Sequence, residues 1–246
     1  MLINFDSKEN IEVFLKKILE IDHISKDQFI NPDGFLDCEP YINEQTFNHF
    51  KTNSIIVYHI TKSDKEQIKE NGLLTIRDLL KSKDNKISKL LLEKNIELDF
   101  ESKTLIWEDK IFPLDFSMRR LGCEYMSLCR RIIQDYRVDN FYIKPKNYKE
   151  YPVIYNMPEI LFDLGKFTDN FYYFIEKFNT APLLLVKSRL DLSEANIDKK
   201  FMIDMLDNML EYLFNNHRFH LQSYIISTAT GKNIPPHDIT FIEEFL

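Results

Sequence analysis

The chain has 246 residues, with Lys and Arg numbering 32 against 39 Asp and Glu, for a formal charge of −7. A chain of this length buries well over half the surface it exposes when unfolded, so it needs neither disulfides nor a structural metal for stability. Its acidic balance argues against a broad nucleic-acid surface. Its five glycines form no GxG, GxxxxGK or GxSxG, which excludes the glycine-cradled dinucleotide folds, the P-loop proteins and the α/β-hydrolases.

In chain order, residues 7–21 read as an amphipathic helix behind Ser7, with Ile11, Phe14, Leu15, Ile18 and Leu19 on one stripe. Residues 22–53 carry the turn Asn31-Pro32-Asp33-Gly34 and a short helix near Glu44–Phe50. The β-branched and aromatic run Ser54–Ile60 reads as a buried strand. Ser63 and Glu66 read as a capping box whose helix stops at Gly72 in a left-handed position, and Thr75 caps a second helix. Residues 86–95 are a third helix candidate. Thr104–Trp107 and Lys110–Leu114 read as strands around a Glu108-Asp109 turn. Glu124–Leu128 reads as a strand or a helix start, and Arg130–Tyr136 as helix. Phe141–Lys144, Val153–Tyr155, Ile160–Phe162, Leu183–Val186, Gln222–Ser227 and Ile239–Ile242 read as strands. Phe171–Phe178 and Ile197–Asn216 read as helices. Strands and helices mix without a βαβ rhythm, so the class is α+β. Residues 1–53 form an N-terminal helix and loop-rich arm, and 54–246 an α+β domain.

Three cysteines, Cys38, Cys123 and Cys129, lack the spacing of a disulfide framework or zinc site and read as reduced thiols. The first residues show no leader pattern and no apolar stretch reaches 18 residues, so the expectation is a cytoplasmic protein without a membrane partner.

Four groupings carry chemistry. On a strand, His59 and Thr61 share a face and present an imidazole beside a hydroxyl, a pair suited to a ribose diol. Five of the eight arginines, Arg119, Arg120, Arg130, Arg131 and Arg137, crowd one window that also holds Glu124 and Asp135. That pattern fits either a phosphate-bearing ligand or a salt-bridged helix face. Glu159 and Asp163 flank an apolar run that, as a strand, keeps the two carboxylates out of direct contact, and Glu159 is a candidate acid or base. His217, His220 and His237 lack a recognised zinc spacing, so no metal is assigned.

The first of these groupings and two further patches, in order, resemble the ADP-ribosyltransferase-like fold, in the bacterial and phage branch that includes DNA-modifying ADP-ribosyltransferase toxins and RNA 2′-phosphotransferases. They are Tyr58-His59-Ile60-Thr61 to Gly72-Leu73, then Tyr125-Met126-Ser127-Leu128-Cys129-Arg130, then Gln222 through Ile234-Pro235-Pro236-His237-Asp238-Ile239. The resemblance implies a split, bent mixed sheet with peripheral helices, holding NAD⁺ as substrate. It gives His59 and Thr61 to the adenine-side ribose, Ser127 to the nicotinamide pocket and Arg130 to the pyrophosphate, with Tyr125 a further cofactor-binding residue on the middle strand. A late carboxylate would stabilise the oxocarbenium-like transition state. Gln222 stands where the family carries Glu; it can hydrogen-bond a hydroxyl but brings no negative charge, which leaves Glu159 as the substitute. The expected activity is ADP-ribosyl transfer to a macromolecule, protein or nucleic acid, by a toxin, phage effector or defence protein. The alternative is a non-catalytic module, of this type or an unrelated α+β type, that binds NAD, another phosphate-bearing nucleotide or a protein partner.

Overall fold

Short polar side chains start most of the helices. In the computed structural model, which describes residues 1–134, 136–145, 157–216 and 221–244 (the side chains of Arg119, Leu221 and Gln222 lying outside that set), Ser7 accepts from the Asn10 amide to open α1, Lys8–Ile18. Asn43 opens α2 (Glu44–Lys51), Asp64 opens α3 (Lys65–Asn71), Thr75 opens α4 (Ile76–Lys81) and Asn85 opens α5 (Lys86–Glu93). Each replaces a missing partner of a first-turn amide. Gly122 precedes α6 (Cys123–Cys129), Pro158 precedes α7 (Glu159–Phe167), and α8 (Phe171–Asn179) follows. Asp198 caps α9, Lys199–Asn215, which ends at left-handed Asn216. The strands are β1 (Leu2–Ile3), β2 (Ser54–Lys62), β3 (Ile96–Asp99), β4 (Thr104–Trp107), β5 (Lys110–Pro113), β6 (Asp139–Phe141), β7 (Leu183–Asp191), β8 (Ile225–Ser227) and β9 (Ile239–Glu244). The class is α+β, with 48% helix and 22% strand among the described residues.

The chain divides into two units. The first takes Met1–His59, Asp139–Glu150 and Lys187–Thr228. Its strands run in the order β8-β6-β2-β7 with β1 beside β2. β1 pairs parallel, Ile3 opposite Ile55, while Tyr58 faces Phe141 and Asp139 faces Ser227 in antiparallel register. Helices α1, α2 and α9 pack in this unit. Phe5, Phe14 and Phe50 form a buried aromatic row, with Phe5 and Phe14 edge-to-face at 5.2 Å.

The second unit takes Ile60–Val138, Tyr151–Val186 and Ala229–Leu246. Here the ends of β2 and β7 lie in the order β2-β7-β9, and β3-β4-β5 form a separate antiparallel meander. The β4–β5 hairpin turns on Glu108 and Asp109, both at positive φ (50° and 61°), which matches the right-handed twist of the strands. Helices α6, α7 and α8 pack in sequence, and Phe167 sits 4.9 Å from Tyr125 and 5.2 Å from Phe112. Phe112 and Phe167 are half-buried there, packed against Tyr125, which is fully buried.

Several expectations change. Tyr125–Arg130, a strand by resemblance, is helix α6 followed by a π-turn, Arg130–Gln134. Its alternation is outweighed by a helical stripe: Tyr125, Leu128, Cys129 and Ile132, at i, i+3, i+4 and i+7, are all 0% exposed. Ile160–Phe162 is helical as well, inside α7, where Ile160, Leu161 and Leu164 are buried. Gln222 lies on a 3-10 turn, Leu221–Tyr224, ahead of β8 rather than on a strand. Asp64, not Ser63, caps α3, because its carboxylate reaches the Glu66 and Gln67 amides. Gly72 has φ 77° and ψ −161°, an extended positive-φ conformation rather than a left-handed helical one. Residues 96–99, just past the helix expected over 86–95, form strand β3, for which no element was expected. Val153–Tyr155, His217 and His220 lie outside the described residues.

Candidate functional site

In the first unit, β2 places His59 beside β6. Burial along β2 alternates at its end: Tyr58, Ile60 and Lys62 are buried, while His59 and Thr61 are half-buried on the opposite face. The shared face expected for His59 and Thr61 is therefore the more open one. His59 Nδ1 lies 2.8 Å from the Asp139 carbonyl oxygen. A carbonyl can only accept, so Nδ1 carries the proton and Nε2 keeps its lone pair. Burial pulls the His59 pKa below its ordinary value against the opposing pull of Asp139, so the ring is neutral at pH 7. The Asp139 carboxylate accepts from Ser227 Oγ at 2.5 Å. On the other face, Tyr58 donates to both Asp6 oxygens at 2.6 and 2.7 Å, and Lys187 Nζ stands 3.7 Å from Asp6. Burial, then Asp6, raise the Tyr58 pKa and hold the phenol neutral.

In the second unit, helices α6 and α7 bring four sequence-nominated side chains together. Arg131 Nε donates to Asp163 Oδ2 at 2.7 Å and Arg131 Nη1 to Glu159 Oε2 at 2.5 Å, while Ser127 Oγ donates to Asp163 Oδ2 at 3.0 Å. Ser127 and Arg131 are four residues apart, as are Glu159 and Asp163, so each pair occupies one side of its helix segment. The strand expectation kept the two carboxylates apart; the helix instead aims both at one guanidinium. Burial alone would lower the Arg131 pKa, but Glu159 and Asp163 outweigh it and raise it. Charge-assisted bonds of this kind are short and directional, and Asp163, with 9% of its side chain exposed, is the most protected partner. Of the arginine window, Arg131 is thus salt-bridged and Arg130 exposed.

The remaining nominated residues divide between the units. Gln222 and His59 belong to the first; Thr61, Tyr125, Ser127, Arg130 and Glu159 belong to the second. Tyr125 is fully buried, its hydroxyl donating to the Pro113 carbonyl, and burial raises its pKa. Gly72-Leu73 and Ile234-Pro235, from the first and last patches of the resemblance, meet: Leu73 and Ile234 exchange backbone hydrogen bonds, each 2.9 Å. His237 Nε2 lies 3.7 Å from Asp238 on an exposed turn. Among the described residues no group of three or more His, Cys, Asp or Glu is placed to hold a metal ion, and no helix is long and apolar enough to cross a membrane.

Two residues escaped sequence reasoning. Asp139 acts on His59 through its backbone, which carries no sequence signal. Lys62 is 6% exposed at the end of β2, and the period-two register that buries Tyr58 and Ile60 was the available clue. Comparison with protein-family models, curated proteins and solved structures returns no match for this chain.

Proposed function

We propose that this chain binds a nucleotide, NAD⁺ foremost, with a ribose hydroxyl donating to His59. The observation that carries this reading is the neutral imidazole, oriented by the Asp139 carbonyl so that Nε2 is the acceptor. The pairing of Gly72-Leu73 with Ile234-Pro235 supports it by joining two patches of the ADP-ribosyltransferase-like resemblance. Binding without transfer is better supported than catalysis. Gln222 lacks charge, Glu159 is paired with Arg131, and Tyr125 and Ser127 stand on a helix rather than a middle strand.

ADP-ribosyl transfer to a macromolecule is the second reading. It needs a carboxylate at the reacting ribose, and Glu159 keeps 32% of its side chain exposed while paired. The test is a thermal melt in saturating NAD⁺, run with labelled NAD⁺ and cell extract alongside. Ligand at a hundred times Kd stabilises by about 2.7 kcal/mol. We expect a saturable rise in Tm that His59→Ala abolishes and Glu159→Gln leaves intact, with no label transferred. Label transfer that is lost in Glu159→Gln would establish the enzyme instead. An unmoved melting curve would end the NAD⁺ proposal.

A further inference from the structure

The His59 ring takes its orientation from a carbonyl that is itself held from the far side. Strand β6 lies between β2 and β8. In an antiparallel ladder a residue either exchanges both backbone hydrogen bonds with its partner or turns both groups away from it. Asp139 aims its carbonyl at His59 on β2, 2.8 Å from Nδ1, so its backbone turns away from β8. Ser227, its partner in register on β8, also turns its carbonyl away and accepts there from the Asn196 amide at 2.8 Å. The two residues therefore face each other without ladder bonds, in the kind of pair whose side chains stand closest.

Those side chains are joined. Ser227 Oγ donates to Asp139 Oδ1 at 2.5 Å, the short distance of a hydroxyl bonded to a carboxylate. Ser227 is 9% exposed, so water competes little for its hydroxyl, whereas Asp139 is exposed at the open start of β6. A side chain at an exposed strand end is otherwise at liberty to move among its staggered rotamers. The buried hydroxyl is thus the fixed end of a relay that runs from β8 through Asp139 to the ring on β2.

We propose that Ser227 is a positioning residue for His59: through Asp139 it holds the carbonyl that keeps the proton on Nδ1 and leaves Nε2 as the acceptor. The inference rests on the reading of His59 as the group that accepts from a ligand hydroxyl. It adds that this acceptor is set from a second strand away, by a residue that does not itself touch the ring.

The test is a long-range proton–nitrogen NMR spectrum of the imidazoles in the intact protein at about pH 8, where histidine is neutral. The His59 signals are identified among the six histidines by their loss in His59→Gln. We expect the wild-type ring to be protonated on Nδ1, and Ser227→Ala to move the tautomer ratio about fivefold toward Nε2–H, the weight of one hydrogen bond. Asp139→Ala should give the same ratio, and the double variant no further change, because both substitutions cut one link. Ser227→Thr keeps the hydroxyl on a residue suited to a strand and should restore the wild-type ratio, a rescue that a purely structural role does not predict. The Kd for NAD⁺ should follow the ratio, weakened about fivefold in Ser227→Ala and recovered in Ser227→Thr. A ratio unmoved by Ser227→Ala overturns the proposal, as does one that moves in Asp139→Ala alone. If the ratio moves while NAD⁺ fails to bind the wild type, the nucleotide reading falls and the role of Ser227 stands.

Discussion

Replacing Gly72 by alanine tests how the first and last motifs are joined. At φ 77° and ψ −161°, a side chain is already strained, which costs about 1–3 kcal/mol. An added Cβ would also fall 2.0 Å from the Ile234 carbonyl oxygen and 2.9 Å from the Pro235 carbonyl carbon. Carbon and oxygen rarely approach within about 3.3 Å. The neighbour is backbone, so no side-chain rotation relieves the overlap. Separating the segments breaks both hydrogen bonds between Leu73 and Ile234, worth about 1 kcal/mol each. The expected loss is about 3–5 kcal/mol, a large share of the 5–15 kcal/mol that holds a typical domain together. In urea, with a slope of about 2 kcal/mol/M, the unfolding midpoint should fall by about 2 M. Gly34→Ala is the control: its φ is 86°, and a Cβ there meets nothing within 4 Å, so it carries the conformational cost alone. If Gly72→Ala costs no more than Gly34→Ala, the close approach to Ile234 is refuted.

Other outcomes follow from the same geometry. Arg131→Met leaves Glu159 and Asp163 facing each other without a cation and should cost about 2 kcal/mol, discounted from the fully buried case because 27% of the Arg131 side chain is exposed. Adding Asp163→Asn to Arg131→Met should recover part of that loss in chemical denaturation; strictly additive losses would show that the three side chains are not coupled. His59 has its pKa lowered from 6.5 in the folded chain, so below that pH the unfolded chain takes up a proton that the folded chain resists. Stability should therefore be fully present above about pH 6.5 and fall as pH drops through the lower folded value, and His59→Gln should flatten the profile. Lys62, lowered from 10.5, behaves with the same sign at alkaline pH: its contribution rises as pH climbs from the folded pKa toward 10.5. Urea denaturation midpoints at stepped alkaline pH check it.

What could be read without the structure was local. Ser7 and Thr75 cap helices through amides three residues away, and the Glu108-Asp109 hairpin closes on adjacent residues. His59 and Thr61 share a face because strand geometry alternates with every residue. Where two periods competed in the same residues, local pattern was ambiguous. Tyr125-Met126-Ser127-Leu128-Cys129 satisfies an alternating template, and only packing against Phe112 and Phe167 selects the helical stripe. The candidate sites depend on still longer reach. Arg131 meets carboxylates 28 and 32 residues away, His59 a carbonyl 80 residues on, and Lys62 carbonyls more than a hundred residues on.

The amino-acid sequence alone determined the α+β class, most helix starts and the presentation of an imidazole on a strand, because these rest on hydrogen bonds and side-chain periods spanning a few neighbours. Tertiary structure alone decided that Glu159 is held by Arg131, that Gly72 is required by the Ile234 backbone, and that Lys62 is buried against the Phe178 and Asn179 carbonyls. Those are distances between segments remote in sequence, and only the packing of the folded chain sets them.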